Sequence, residues 1–104
     1  MAYVQSRSVD SGTVSSATLA YTSNVTAGNL LVVACRVGST TATVAITHAG
    51  DTFTQDKLQV ATGDHTLTVH SAPNAAGGAT TLTATITGGP ATLRWSIHEF
   101  GSMA

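Results

Sequence analysis

Residues 80–87 read TTLTATIT, and this octet decides the fold class. In an extended chain successive side chains point to opposite faces. Leu82, Ala84 and Ile86 therefore share one side, and Thr81, Thr83, Thr85 and Thr87 form a ladder on the other. A helical period of 3.6 would scatter both sets. The pattern is that of a β-strand with one face buried.

The same period recurs along the chain. Residues 93–98, LRWSIH, put Leu93, Trp95 and Ile97 on one side and Arg94, Ser96 and His98 on the other. Residues 65–70, HTLTVH, put Leu67 and Val69 on the apolar side and Thr66, Thr68 and His70 on the polar one. Residues 30–37, LLVVACRV, are apolar on both sides, which predicts a central strand covered on both faces. Strands are predicted over residues 3–9, 18–22, 29–37, 42–48, 52–60, 65–71, 80–87 and 91–100. Turn residues separate them: Ser11-Gly12, Ala27-Gly28, Gly38-Ser39, Ala49-Gly50-Asp51, Thr62-Gly63-Asp64, Pro73-Asn74 with Gly77-Gly78, and Gly88-Gly89-Pro90. Only residues 75–79 leave room for a short helical turn. About eight short strands at this spacing predict a single all-β, antiparallel β-sandwich domain spanning 1–104. The predicted core is Val4, Leu19, Tyr21, Leu31, Val33, Val44, Ile46, Phe53, Leu67, Val69, Leu82, Ile86, Leu93, Trp95 and Ile97.

Composition narrows the function classes. Charged residues make up 9% of the chain and the net charge is −1. Neither figure provides the basic surface that nucleic acid or an anionic membrane requires. No apolar run is long enough to span a bilayer. Cys35, the single cysteine, sits in the most apolar strand and reads as a buried, inert thiol. The first residues, MAYVQSR, lack the charged and apolar regions of a signal peptide. The chain is therefore expected to be cytoplasmic or a piece of a secreted protein.

Residues 26–34 (TAGNLLVVA), 49–54 (AGDTFT), 71–78 (SAPNAAGG) and 97–100 (IHEF) follow one another in the chain. In this order they resemble a recurrent module of secreted bacterial proteins, found beside carbohydrate-active or adhesive domains. The resemblance implies a jelly-roll sandwich with no catalytic motif to transfer, in a module that continues beyond the position of Phe100. On that reading the chain is the first half of a jelly roll, and a second copy would supply the missing strands. A homo-oligomer, most simply a two-fold dimer, is expected.

The chain has four histidines and only four lysines and arginines together. His70 and His98, both read as outward, are the candidate ligands of a metal ion, with His48 or His65 (preceded by Asp64) as a third. Zinc is the metal that such a set would suit. A zinc-bound hydroxide beside Arg94 and Arg36, with Glu99 as a further candidate should the strand bulge, would make a small phosphoester hydrolase. The alternative is that the histidines decorate a polar face and the arginines are surface residues. Glycan recognition is the third possibility, and it needs an exposed aromatic platform. Trp95, Tyr21 and Phe53 are assigned to the core by phase, which leaves Phe100. No Gly-x-Ser-x-Gly elbow is present. Composition and resemblance favour a non-catalytic recognition or structural module for a small-molecule or glycan ligand; the metal hydrolase is the alternative.

Overall fold

The computed structural model describes residues 3–48, 51–61 and 63–101. Eight strands form two antiparallel sheets: β1 (Tyr3–Val14), β2 (Ser16–Ala20), β3 (Leu30–Val37), β4 (Thr43–Thr47), β5 (Thr54–Ala61), β6 (His65–Ala72), β7 (Thr81–Thr87) and β8 (Ala91–Phe100). The five-stranded sheet has the order β1-β8-β3-β6-β5, and the three-stranded sheet β2-β7-β4. The sandwich expected from the alternating pattern is present. Residues 75–79 form no helix. In the turns expected at 49–51 and 62–64, residues 49, 50 and 62 lie outside the described residues.

The pairing is nested. β1 pairs with β8, β2 with β7 and β3 with β6, all antiparallel. Continuing inward, the segment between β4 and β5 carries one isolated bridge, His48 to Asp51. This is one long hairpin rolled so that its rungs fall alternately in the two sheets, the winding of a jelly roll. At the innermost rung β5 leaves β4 and pairs with β6 instead. Both β4 and β5 are consequently sheet edges.

The inner face of each sheet supplies the core. Leu31, Val33, Cys35 and Val37 of β3 and Leu93, Trp95 and Ile97 of β8 pack against Leu82, Ala84 and Ile86 of β7 and Val44 and Ile46 of β4. The threonine ladder of β7 faces outward, as its pattern requires. The Trp95 indole N–H donates to Ser11 Oγ at 3.1 Å, so its buried polar atom is satisfied. Ser11-Gly12, read as a turn, is instead a β-bulge inside a longer β1. The register slips between Asp10 and Gly12, Gly12 takes φ of 70°, and its N–H donates to Asp10 Oδ1.

Several core assignments are corrected. Val4 is 45% exposed and Leu67 42%, while Phe53 packs against the core only partly buried. β3 is central, but only one of its faces is fully covered. In β6 the phase is inverted. Thr66, Thr68 and His70 are buried, and Leu67 and Val69 face the other way. The inner hydroxyls are tolerated because they find partners: Thr66 donates to the Ser39 carbonyl at 2.8 Å, and Thr68 Oγ1 lies 3.0 Å from His70 Nε2.

Residues 26–29, the 73–79 loop and Glu99 meet in space. Buried Glu99 accepts from Asn29 Nδ2 (2.7 Å), the Thr26 backbone N–H (2.9 Å) and Gln5 Nε2 (2.7 Å). The 24–29 and 73–79 loops exchange backbone bonds, Gly28 N–H to the Ala75 carbonyl and Gly78 N–H to that of Val25. Gly77 has φ of 86°, and a Cβ there would lie 2.8 Å from the Ala27 nitrogen, so glycine is required for this close approach.

Candidate functional site

The outer face of the five-stranded sheet is a lattice of residues fixed by strand register. One transverse row runs Asp10, Arg94, Arg36, Leu67, Gln59. The next is Ser8, Ser96, Ala34, Val69, Lys57, and the third is Ser6, His98, Val32, Ser71, Thr54. Tyr3, Phe100 and Leu30 close the far end. A groove of about 670 Å³ crosses the first two rows, lined by Asp10, Arg94, Arg36, Ala34, Leu67, Val69, Ser8 and Ser96 among others. A second hollow adjoins it at Ser6, Arg7, Ser8, Ser96 and His98.

The groove has an apolar floor because β6 is inverted. Leu67 and Val69, read from sequence as core, instead face this open surface beside Ala34. Its charged end consists of two ion pairs. Arg94 Nε donates to Asp10 Oδ2 at 3.1 Å, and Arg36 Nη2 stands 3.8 Å from Asp64 Oδ2. A bond from the Gly12 backbone N–H and the charge of Arg94 hold the Asp10 carboxyl below its ordinary range, against a smaller opposing effect of desolvation. At the other end the rings of His98 and Phe100 stack at 6.4 Å and 16°, and Tyr3 meets Phe100 edge-on. Phe100 is thus on the outer surface, as its phase predicts. His98 Nε2 bonds to Ser96 Oγ at 2.9 Å.

The four histidines do not converge. His70 and His98 lie on opposite faces, and β3 runs between their strands. The expectation of a shared phase failed because alternation marks two faces of β6 without saying which is buried. Burial pushes the His70 imidazole pKa down, and the charge of Asp56 opposes this more weakly. His65 is on the outer face, bonded to Asp64 at 2.7 Å, but six residues of strand, about 20 Å, separate its row from that of His98. His48 directly follows β4, the edge strand of the three-stranded sheet. Its Nδ1 lies 2.6 Å from Asp51 Oδ2 and its Nε2 2.9 Å from the Ala79 carbonyl. Both partners are acceptors, a pairing that an imidazolium satisfies from both nitrogens at once. Asp51 Oδ1 in turn accepts the Ala76 backbone N–H.

Among the described residues no three of His, Cys, Asp or Glu are grouped to hold a metal ion. Arg94 and Arg36 share the outer face with His98, but four residues of β8, about 13 Å, separate Arg94 from it. Glu99 is fully buried on the opposite face, the phase it takes when the strand stays regular. Beside it the Tyr21 hydroxyl is buried with no partner among the described residues, and burial together with the Glu99 charge raises its pKa. Cys35 is buried and its thiol pushed up to about 11 by desolvation, outweighing a bond with Thr68.

The alternation predicts Arg94, His98 and Phe100 as outward residues, and they are; Arg36, in a strand expected to be covered on both faces, is on the outer face as well, and His70, also predicted outward, is buried. The alternation misses Leu67 and Val69, and nothing in the residues of β6 alone marks them as surface. Compared with family models, with characterised proteins and with solved structures, the chain matches none.

Proposed function

We propose that this chain is a non-catalytic recognition module that holds an extended polar oligomer, an oligosaccharide, along the outer face of its five-stranded sheet. The observation that carries the reading is the groove floored by Leu67, Val69 and Ala34. Leu67 is 42% exposed in the interior of a sheet, with polar side chains on either side. Exposed apolar surface rimmed by polar groups is the usual form of a binding site.

The surroundings suit a sugar chain. From Arg94 to Phe100 the outer face runs about 20 Å, bordered by the hydroxyls of Ser6, Ser8 and Ser96. Hydroxyls both donate and accept, which matches the hydrogen-bonding habit of a sugar edge. Phe100 and His98 offer a flat surface at one end and the apolar floor another.

The reading is tested by titrating ¹⁵N-labelled protein with a panel of neutral and acidic oligosaccharides. Saturable shifts are expected for β1, β8, β3 and β6. Leu67→Glu should abolish binding and Phe100→Ala weaken it severalfold. Thr85→Ala, on the outer side of the three-stranded sheet, should leave it unchanged. Absence of saturable binding across the panel, or binding untouched by Leu67→Glu, overturns the proposal.

A further inference from the structure

Arg36 and Arg94 are direct cross-strand partners on the outer face of the sheet. Side chains so placed have Cβ atoms about 4.5–5.5 Å apart, where like charges repel and weaken the pairing. The chain contains three arginines and one lysine, and two of these four cations are set against each other here. Each is drawn outward by its own carboxylate, Arg94 toward Asp10 on β1 and Arg36 toward Asp64 at the start of the β6 hairpin. These contacts leave donors over. Arg94 uses Nε on Asp10, and the 3.8 Å separation of Arg36 from Asp64 is too long for a hydrogen bond. A guanidinium carries five N–H donors, so most of the ten remain unspent.

We infer that the groove selects an acidic saccharide, whose uronate carboxylate sits between Arg36 and Arg94 while its ring lies over Ala34 and Val69. This inference rests on the recognition reading above and adds the charge of the ligand. A planar carboxylate matches the guanidinium fork, and an anion shared by both would replace their repulsion with two attractions. Asp10 and Asp64 then act as resident counterions that a ligand displaces. An anion without a ring would leave the apolar floor uncovered, so carboxylate and ring belong to one ligand.

The test uses the full chain with oligogalacturonate and oligoglucuronate, each compared by calorimetry with its carboxyl-reduced counterpart. At least one acidic oligomer is expected to bind ten-fold or more tighter than its reduced form, with affinity falling as salt rises. Arg36→Gln and Arg94→Gln should each bring it down to the level of the reduced form. Asp10→Asn, which removes a competing carboxylate, should raise affinity severalfold, a change no purely structural role for Arg94 produces. All three positions are on the surface, and thermal melting checks that each variant is folded. Equal binding of acidic and reduced oligomers, or no loss in both arginine variants, overturns the inference while the recognition reading stands. If no oligosaccharide of either kind binds, both fall together.

Discussion

The His48 ring and the Asp51 carboxylate face each other at 2.6 Å with side chains 0% and 4% exposed. Their backbones form an isolated bridge in the segment that joins β4 to β5. Through Ala76 N–H and the Ala79 carbonyl they also tether the 73–79 loop. Removing one member of a buried pair strands the other, typically at about 3–5 kcal/mol. Asp51→Ala and His48→Ala are each expected to lower stability by roughly that much in urea unfolding. The double variant should cost far less than the sum of the two.

Glu99 accepts three hydrogen bonds inside the sandwich. Glu99→Ala would leave Asn29 Nδ2 and the Thr26 N–H without this acceptor and Gln5 Nε2 with only its bond to the Ser23 carbonyl, at about 1–3 kcal/mol for each donor that stays buried. Glu99→Gln keeps the shape but turns an N–H₂ toward donors, and should fall between Ala and wild type. Equilibrium denaturation of both variants checks the order.

His70 gives the fold a pH dependence with a defined sign. Burial depresses its folded-state pKa below 6.5. Between that depressed value and 6.5 the unfolded chain binds the proton more readily than the folded one. The contribution to stability is complete above pH 6.5 and is lost as pH falls through the folded value. Urea midpoints should therefore drop on acidification from pH 7 to pH 5, and His70→Gln should flatten that drop.

Cys35 should be unreactive. With its thiol buried and raised to about 11, almost no thiolate exists at pH 8. A disulfide reagent is expected to label native protein only at the rate of unfolding, and denatured protein at once. Fast stoichiometric labelling of the native chain would contradict this.

β5 is an edge strand that shows Leu58 (43% exposed) and Val60 (37%) on the face that is core elsewhere in the sheet. A two-fold antiparallel pairing about Gln59 would set Leu58 of each copy against Val60 of the other. Light scattering is expected to give twice the chain mass, and Leu58→Lys the single mass. A monomeric wild type at high concentration removes this expectation.

Most of the fold was legible in alternation. β8 begins and ends where its pattern predicts, and LTATI of β7 fixes both of that strand's faces. Alternation is symmetric, however, and β6 shows the limit. HTLTVH defines two faces equally well, and leucine and valine are no guarantee of burial where a groove needs an apolar floor. Threonine is β-branched and its hydroxyl can bond a nearby carbonyl, so it serves as an inner residue near a sheet edge. The Arg36–Arg94 pairing was illegible for another reason. It depends on the β3–β8 register, and β4 to β7 separate those two strands along the chain.

The nested winding has a kinetic meaning as well. Every rung outside the innermost one joins segments farther apart along the chain, until Tyr3 meets Phe100. Contacts of such long range make folding slow, because much loop entropy is lost before they form. The expected sequence is from the middle outward: the β5–β6 hairpin, then β3, then β8, with β1 last. On the ribosome β1 emerges before β8, the one strand it pairs with in the five-stranded sheet. For that interval its edge is open, and an unpaired strand edge is a template for mispairing with another chain.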